Sequence, residues 1–326
     1  NITSFIEKKN FDFNDIQKYY KTVNIYKFSK HFLQQYYVPF LKAYIDSRGS
    51  NEYYEQVLRV LSAIEKSSIK AEVLEGEPWY EIDDVQDLDI AESIFSENGF
   101  GKIRTRYGGY WRYPKLIDFC YLVNPFYPPK KMIEEIKSSI DKLISNYPSG
   151  IEVNSLIAGK YYGLKKEHIC PGNGASELIN SLMKTVEGKV GITYPTFEEY
   201  PNRLNKNMIV PFYPNNKNFS YNSDELINYY ENTGIKALLI INPDNPSGNF
   251  IERSDILKLA GWAQKKGIRL IVDESFVDFA NTSGPQTLLT EEILGQYKNL
   301  IVVRSISKSF GVPGLRLGIA ASADEE

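Results

Sequence analysis

The stretch Leu300-Ile301-Val302-Val303-Arg304-Ser305-Ile306-Ser307-Lys308-Ser309-Phe310-Gly311 decides the fold. Its apolar run, Leu300 to Val303, stops at a short polar turn that carries one lysine, and Arg316 follows eight positions beyond that lysine. An apolar run bounded by turn residues reads as a strand covered on both faces. The same grammar recurs upstream at Val190 to Thr193, Ala237 to Ile241 and Leu270 to Val272. Helical periods lie between and before these runs: from about Lys130 to Tyr147, after Gly174, and from Ser254 to Lys266, with Gly267 in the C-cap role. Alternation at this size predicts an α/β fold, a doubly wound layer around a mainly parallel sheet. Such sheets hold their ligands beyond the C-terminal strand ends, which is where Lys308 falls.

A lysine drawn into a sheet-end site loses water, and with a cation nearby its pKa falls, freeing the amine to attack an aldehyde. A lone lysine in a loop is ordinarily just solvated, so Lys308 needs company. Three further signals provide it. Pro171-Gly172-Asn173-Gly174-Ala175-Ser176-Glu177 opens a helix, where free N–H groups and the helix dipole attract a phosphate, although a plain strand-to-helix turn asks for the same residues. Asn242-Pro243-Asp244-Asn245-Pro246-Ser247-Gly248 follows the Ala237 to Ile241 run, with two prolines fixing the turn and Asn245 free to aim an amide; a tight structural loop is the plainer alternative. Asp273 follows the Arg269 to Val272 run, and a carboxylate at the end of a buried strand is costly without a cationic partner, whether a protonated ring nitrogen or an ordinary salt bridge.

Composition narrows the chemistry. The chain has 326 residues, enough for more than one module, with 38 basic and 41 acidic residues scattered along it, so nucleic acid is not an expected partner. No stretch reaches the ~20 apolar residues of a membrane helix, and the start lacks a signal-peptide core. The two cysteines, Cys120 and Cys170, suit a reducing, cytoplasmic setting and are expected as small buried fillers. His31 and His168 are the whole histidine supply, which weighs against Ser-His-Asp hydrolysis and histidine-rich metal sites. Lysine, carboxylate or a cofactor is left to do the work.

In order, Gly-Asn-Gly-Ala-Ser-Glu, Tyr-Pro-Thr-Phe, Asn-Pro-Asp-Asn-Pro-Ser-Gly, Asp-Glu-Ser-Phe and Ser-Ile-Ser-Lys-Ser-Phe-Gly with a later Gly-Leu-Arg resemble the class I/II aminotransferases, within them the histidinol-phosphate aminotransferase and threonine-phosphate decarboxylase branch. The resemblance covers roughly residues 118–326. It implies the large domain of a fold-type I pyridoxal-5'-phosphate (PLP) enzyme, three layers about a mainly parallel sheet. It further implies Lys308 as the Schiff-base and proton-moving lysine and Asp273 as partner of the ring nitrogen. Asn245 would meet the ring 3'-oxygen and Phe197 would stack on the ring. Ala175, Ser176, Ser305, Ser307 and Arg316 would surround the phosphate, where an arginine fork suits the dianion. Tyr147, in Asn146-Tyr147-Pro148, would reach the neighbouring subunit's phosphate in a homodimer, and Asn124, in Asn124-Pro125, would lie beside the substrate. Many relatives carry tyrosine where this chain has Phe276, which cannot donate to the 3'-oxygen.

Residues 1–100 resemble the latter part of a sugar-phosphate or phosphocholine-type nucleotidyltransferase, through Asn24-Ile25-Tyr26-Lys27-Phe28-Ser29, Asn51-Glu52-Tyr53-Tyr54-Glu55 and Trp79-Tyr80-Glu81-Ile82-Asp83-Asp84. That family would place Mg²⁺ at Asp83; an acidic turn of Asp83, Asp84 and Asp87 capping a helix from Leu88 is the alternative. An α/β fragment with short strands such as Ile69 to Leu74 is expected there. Residues 101–150 are expected as linker and N-terminal arm and 151–326 as the PLP-binding domain. The chain opens at Asn1 without methionine and stops at Glu326 after a strand-like Leu-Gly-Ile-Ala-Ala-Ser, so both ends are expected to be cut and the family's small C-terminal domain to be missing. Together the two resemblances suggest the fused proteins that make cytidylyl-activated 2-aminoethylphosphonate, with an amino-acid-phosphate decarboxylase, histidinol-phosphate transamination and a non-catalytic scaffold as alternatives.

Overall fold

The structure, a computed structural model, describes all residues except 1, 3–4, 7–11, 65–68, 107, 114–115, 281 and 325–326. It divides into two units, Asn1–Ile117 and Asp118–Glu326.

In the first unit a continuous helical run comprises α1 (Lys30–Phe32), a π-turn at Leu33–Tyr37 and α2 (Val38–Arg48). It is followed by α3 (Glu55–Ile64), α4 (Val85–Phe95) and α5 (Gly99–Arg104). Val57, Leu58, Leu61, Ile90 and Ala91 are buried. Residues 69–74 form no strand, contrary to expectation: they have the alternation of one, but this unit has no partner strand among its described residues. A lone extended segment gains no ladder of hydrogen bonds. Within the stretch expected as linker, α5 forms a helical turn held to α4, where Lys102 pairs with Glu92 at 2.6 Å and Arg106 pairs with Asp89. Gly99 permits the contact, since a Cβ there would lie 2.0 Å from the Ser93 carbonyl oxygen.

The second unit opens with α6 (Lys130–Ser145) and α7 (Ile151–Tyr162), then lays down β1 (Ile169–Asn173), α8 (Ala175–Thr185), β2 (Lys189–Thr193), β3 (Ile209–Phe212), α9 (Ser223–Tyr230) and β4 (Ile235–Ile241). It continues with α10 (Arg253–Lys266), β5 (Arg269–Asp273), α11 (Glu291–Gln296), β6 (Leu300–Ser305), α12 (Ile306–Ser309) and β7 (Leu317–Ala321). The sheet order is β1-β7-β6-β5-β4-β2-β3. Strands β3, β2, β4, β5 and β6 pair in parallel, and β7 runs against both β6 and β1.

Strand periodicity explains the two cores. Leu238 and Ile240 of β4 and Leu270 and Val272 of β5 join α9, α10 and α11 residues such as Leu226, Leu259 and Leu294 on one face. Ala237, Leu239, Ile241 and Ile271 point to the other face and join Ile179 and Met183 of α8 and Tyr200. Helices thus cover both faces, which is why the strands read as unbroken apolar runs. The same period puts Asp273 on the Ile271 face, beside Tyr200.

Both cysteines are exposed, not buried as expected. Cys170 lies on β1, an outer strand with a sheet neighbour on one side only, and Cys120 lies at a bend ahead of α6. We predict that Ile271→Ala, which empties a fully buried position between the central strands and α8, costs about 2–5 kcal/mol in urea unfolding; a loss below about 1 kcal/mol would contradict this packing.

Candidate active site

The carboxyl ends of β4, β5 and β6 converge. Ile241 pairs with Asp273, and Asp273 with Val303, so Asn245, Asp273 and Lys308 leave adjacent strands at one level. The Asn242 N–H donates to the Asp273 carbonyl at 2.9 Å and the Glu274 N–H to the Val303 carbonyl at 2.8 Å, tying the three turns together. Asn242 also closes its own loop by exchanging side-chain hydrogen bonds with the Ile251 backbone at 2.8 and 2.9 Å. That loop holds Asn245 partly buried.

Lys308 sits in α12, partly buried, with its amine 4.0 Å from the centre of the Phe276 ring and 5.4 Å from that of Phe197. Burial pushes its pKa below the ordinary lysine range, while the negative charge of Asp273 works the other way. Asp273 is 3 % exposed; its Oδ1 accepts from the Ser275 N–H at 2.8 Å and its Oδ2 from the Tyr200 hydroxyl at 2.7 Å. The amine therefore lies against two aromatic rings, within electrostatic reach of a carboxylate held by two hydrogen bonds.

The start of α8 and the turn before β7 meet near Gly174. Gly174, φ +82°, precedes α8 and presents the N–H groups of Ala175 and Ser176 at the helix start. A Cβ on Gly318 would lie 2.5 Å from the Ala175 nitrogen, so β7 can approach the helix start only with glycine there, and a Cβ on Gly174 would lie 3.1 Å from the Arg316 guanidinium. Arg316 itself has φ +55°, a left-handed conformation uncommon without glycine.

Two expected contacts are otherwise engaged. The Ser307 hydroxyl donates to the Leu317 carbonyl at 3.1 Å and accepts from the Leu317 N–H at 2.8 Å, so its proton clamps the strand after Arg316 and is not offered to an anion. Asn124 donates its backbone N–H to the Lys308 carbonyl and its amide to the Ser309 carbonyl, both at 2.9 Å, and accepts from the Phe126 N–H. It straps the lysine turn. The strap is tight: Gly311, φ +60°, could not carry a Cβ, which would fall 1.9 Å from the Tyr127 oxygen. Ser305 donates its N–H to Ser275 Oγ at 2.9 Å, and Tyr147 is fully exposed between α6 and α7.

Elsewhere, Asp84 caps α4 by accepting from the Asp87 N–H at 2.8 Å, and the Asp83 N–H donates to Asp87. Asp83 is exposed, and among the described residues no group of three or more His, Cys, Asp or Glu side chains is placed to hold a metal ion. Sequence reasoning passed over Tyr200 and Ser275, the two donors on Asp273. A tyrosine three places after Phe197, in a loop otherwise polar, was the available signal.

Asn245, Asp273, Lys308 and Arg316 lie in the part of the chain where the family match falls. The family model for aminotransferase class I and II matches residues 114–326. The chain belongs to that family. It is 28% identical over 312 residues to the CMP-5'-(3-aminopropyl)phosphonate synthase of Streptomyces rubellomurinus, covering 94% of this chain and 48% of that protein. It is 33% identical over 218 residues to the L-serine phosphate decarboxylase of Sulfurospirillum multivorans, covering 63% of this chain and 54% of that one. The solved structure of a decarboxylase from the latter organism superposes with a TM-score of 0.55 at 30% identity, covering 64% of this chain and 58% of that chain. The histidinol-phosphate aminotransferase from Clostridium acetobutylicum gives 0.54 at 27%, covering 64% and 62%. The chain spans about half the length of the curated relatives it matches.

Glu274, next to Asp273 but on the opposite side of the strand, is also buried; its oxygens accept from Thr287 Oγ1 and the Leu288 N–H, each at 2.6 Å. Burial pushes its pKa up to about 7, against those bonds and the charge of Arg304. The folded state therefore binds this proton more tightly than the unfolded chain, whose glutamate titrates near ~4.3. Below that value both states are protonated and Glu274 costs nothing; stability falls as pH rises from there to about 7. We predict that Glu274→Gln removes this part of the decline in denaturant titrations at pH 5 and pH 7.5; identical pH dependence in the two proteins would contradict it.

Proposed function

We propose that residues 118–326 form the cofactor-binding domain of a PLP-dependent aminotransferase that moves an amino group to or from a small phosphate- or phosphonate-bearing substrate. The observation that carries this reading is a partly buried lysine amine facing a hydrogen-bonded carboxylate, beside a glycine-and-arginine cradle at a helix start. PLP suits these residues: the start of α8 offers the N–H groups of Ala175 and Ser176 with the Arg316 guanidinium close by, and Phe197 and Phe276 present ring faces beside the lysine amine. When bound, PLP supplies an aldehyde for amine exchange and a ring that takes up electron density.

In this reading Lys308 holds the cofactor and moves the proton at its Nζ. Asp273 is the counter-charge for a protonated ring nitrogen, Asn245 meets the 3'-oxygen, Phe197 stacks, and Ala175, Ser176, Ser305 and Arg316 hold the phosphate. Phe276 offers the amine a ring face and no hydroxyl. A homodimer in which Tyr147 reaches the neighbouring site follows the same reading, in a cytoplasmic setting. The match to the phosphonate synthase runs beyond the family match into the first unit, which supports a bifunctional parent whose other half, with its Mg²⁺, performs nucleotidyl transfer. The likeness to the serine phosphate decarboxylase favours a second reading, decarboxylation on the same core. Incubating protein, PLP and an amino-acid phosphate or aminophosphonate with a keto acid separates the two: new amino acid without CO₂ supports transamination, and CO₂ release supports the second.

We expect Lys308→Ala to abolish the visible absorbance that PLP acquires on the protein; a full band in the variant would refute the assignment. Because burial lowers the Lys308 pKa and Asp273 opposes it, capture of PLP should be half-maximal below the ordinary lysine value of about 10.4, and lower still in Asp273→Asn. An unchanged or higher midpoint in that variant would contradict the facing geometry.

A further inference from the structure

Tyr200 is not among the residues assigned to the cofactor above, yet it is completely buried and its hydroxyl makes the shorter of the two hydrogen bonds to the Asp273 carboxylate. It sits on the same post-β2 loop as Phe197, its N–H bonded to the Phe197 carbonyl, with the two rings edge to face at 6.5 Å. One loop therefore carries the ring that walls the lysine and the phenol that holds the acid. Ser275 and Tyr200 take one lone pair on each carboxylate oxygen, which fixes the plane of the group and leaves the remaining lone pairs for a cation. With Ser275 alone, the carboxylate could turn about its terminal torsion, which is soft. The phenol is a dependable donor, since burial and the adjacent negative charge both push its pKa well above the usual tyrosine value.

We propose that Tyr200 is a positioning residue: its hydroxyl locks Asp273 in the orientation that meets the protonated ring nitrogen of the bound cofactor, and its loop couples that lock to the placement of Phe197. This rests on the PLP reading. Loss of one hydrogen bond to a charged group predicts that Tyr200→Phe, which keeps the ring and its packing, binds PLP about 10- to 100-fold more weakly. It should also shift the pH at which the absorbance of the bound cofactor changes. In an Asp273→Asn background the same substitution should weaken binding by no more than about twofold, because there is no charge left to orient. A merely structural tyrosine would lower the melting temperature equally in both backgrounds and leave the pH midpoint alone.

PLP titration and absorbance against pH on the four proteins test this, with a fluorinated tyrosine at position 200, a stronger donor of nearly the same shape, as a fifth that does not depend on Tyr200→Phe folding. A midpoint moved one way by phenylalanine, or the opposite way by fluorotyrosine, supports the proposal. Wild-type affinity and midpoint in Tyr200→Phe, or equal losses in both backgrounds, overturn it. Failure of the wild-type chain to take PLP on Lys308 sinks the underlying PLP reading instead, so the two failures are distinct.

Discussion

A lysine amine and an aspartate carboxylate, both carried out of water at the ends of neighbouring strands, are the constraint around which the rest of the site is arranged. Removing a charge from water is expensive, and such groups persist when each has a partner or a ligand to meet. Asp273 has hydrogen bonds from Tyr200 and Ser275 but no ion-pair distance to Lys308 among the described contacts. Lys308 has aromatic faces and a distant opposite charge. The arrangement leaves the amine out of a tight salt bridge, which would hold it as the unreactive ammonium.

The sheet makes that arrangement possible. Parallel pairing of β4, β5 and β6 brings three turns to one edge in register, and the two-residue period sends Asp273 toward α8 and Glu274 toward the opposite layer. The antiparallel β7 then returns from the lysine turn so that Gly318 lies against the start of α8 and Arg316 over Gly174. These residues are therefore brought together from chain segments more than 130 positions apart, through a backbone approach of β7 to α8 that the absence of a Cβ at Gly318 allows.

Much of this was legible in the sequence because buried parallel strands announce themselves: the runs ending at Ile241, Val272 and Val303 are apolar without a break, and each is followed by its chemical residue. The outer strands were not. Cys170-Pro171-Gly172-Asn173 and Ile209-Val210-Pro211-Phe212 are too short and too mixed to stand out, and their pairing is decided by distant neighbours. The exposure of Cys170 follows from the same edge position. In the first unit, residues 69–74 carry the alternation of a strand but, among the described residues, no partner strand to make it one. Within the site, residue type announced Lys308 and Asp273, whereas the roles of Ser307, Asn124 and Tyr200 depend on which backbone or carboxylate each hydroxyl or amide happens to face, and spacing does not record that.

The most direct test of the account is borohydride reduction of the protein mixed with PLP, followed by peptide mapping of the modified lysine. The account predicts a single stable pyridoxyl adduct on the peptide containing Lys308. A label spread over exposed lysines, or none on that peptide, would contradict it.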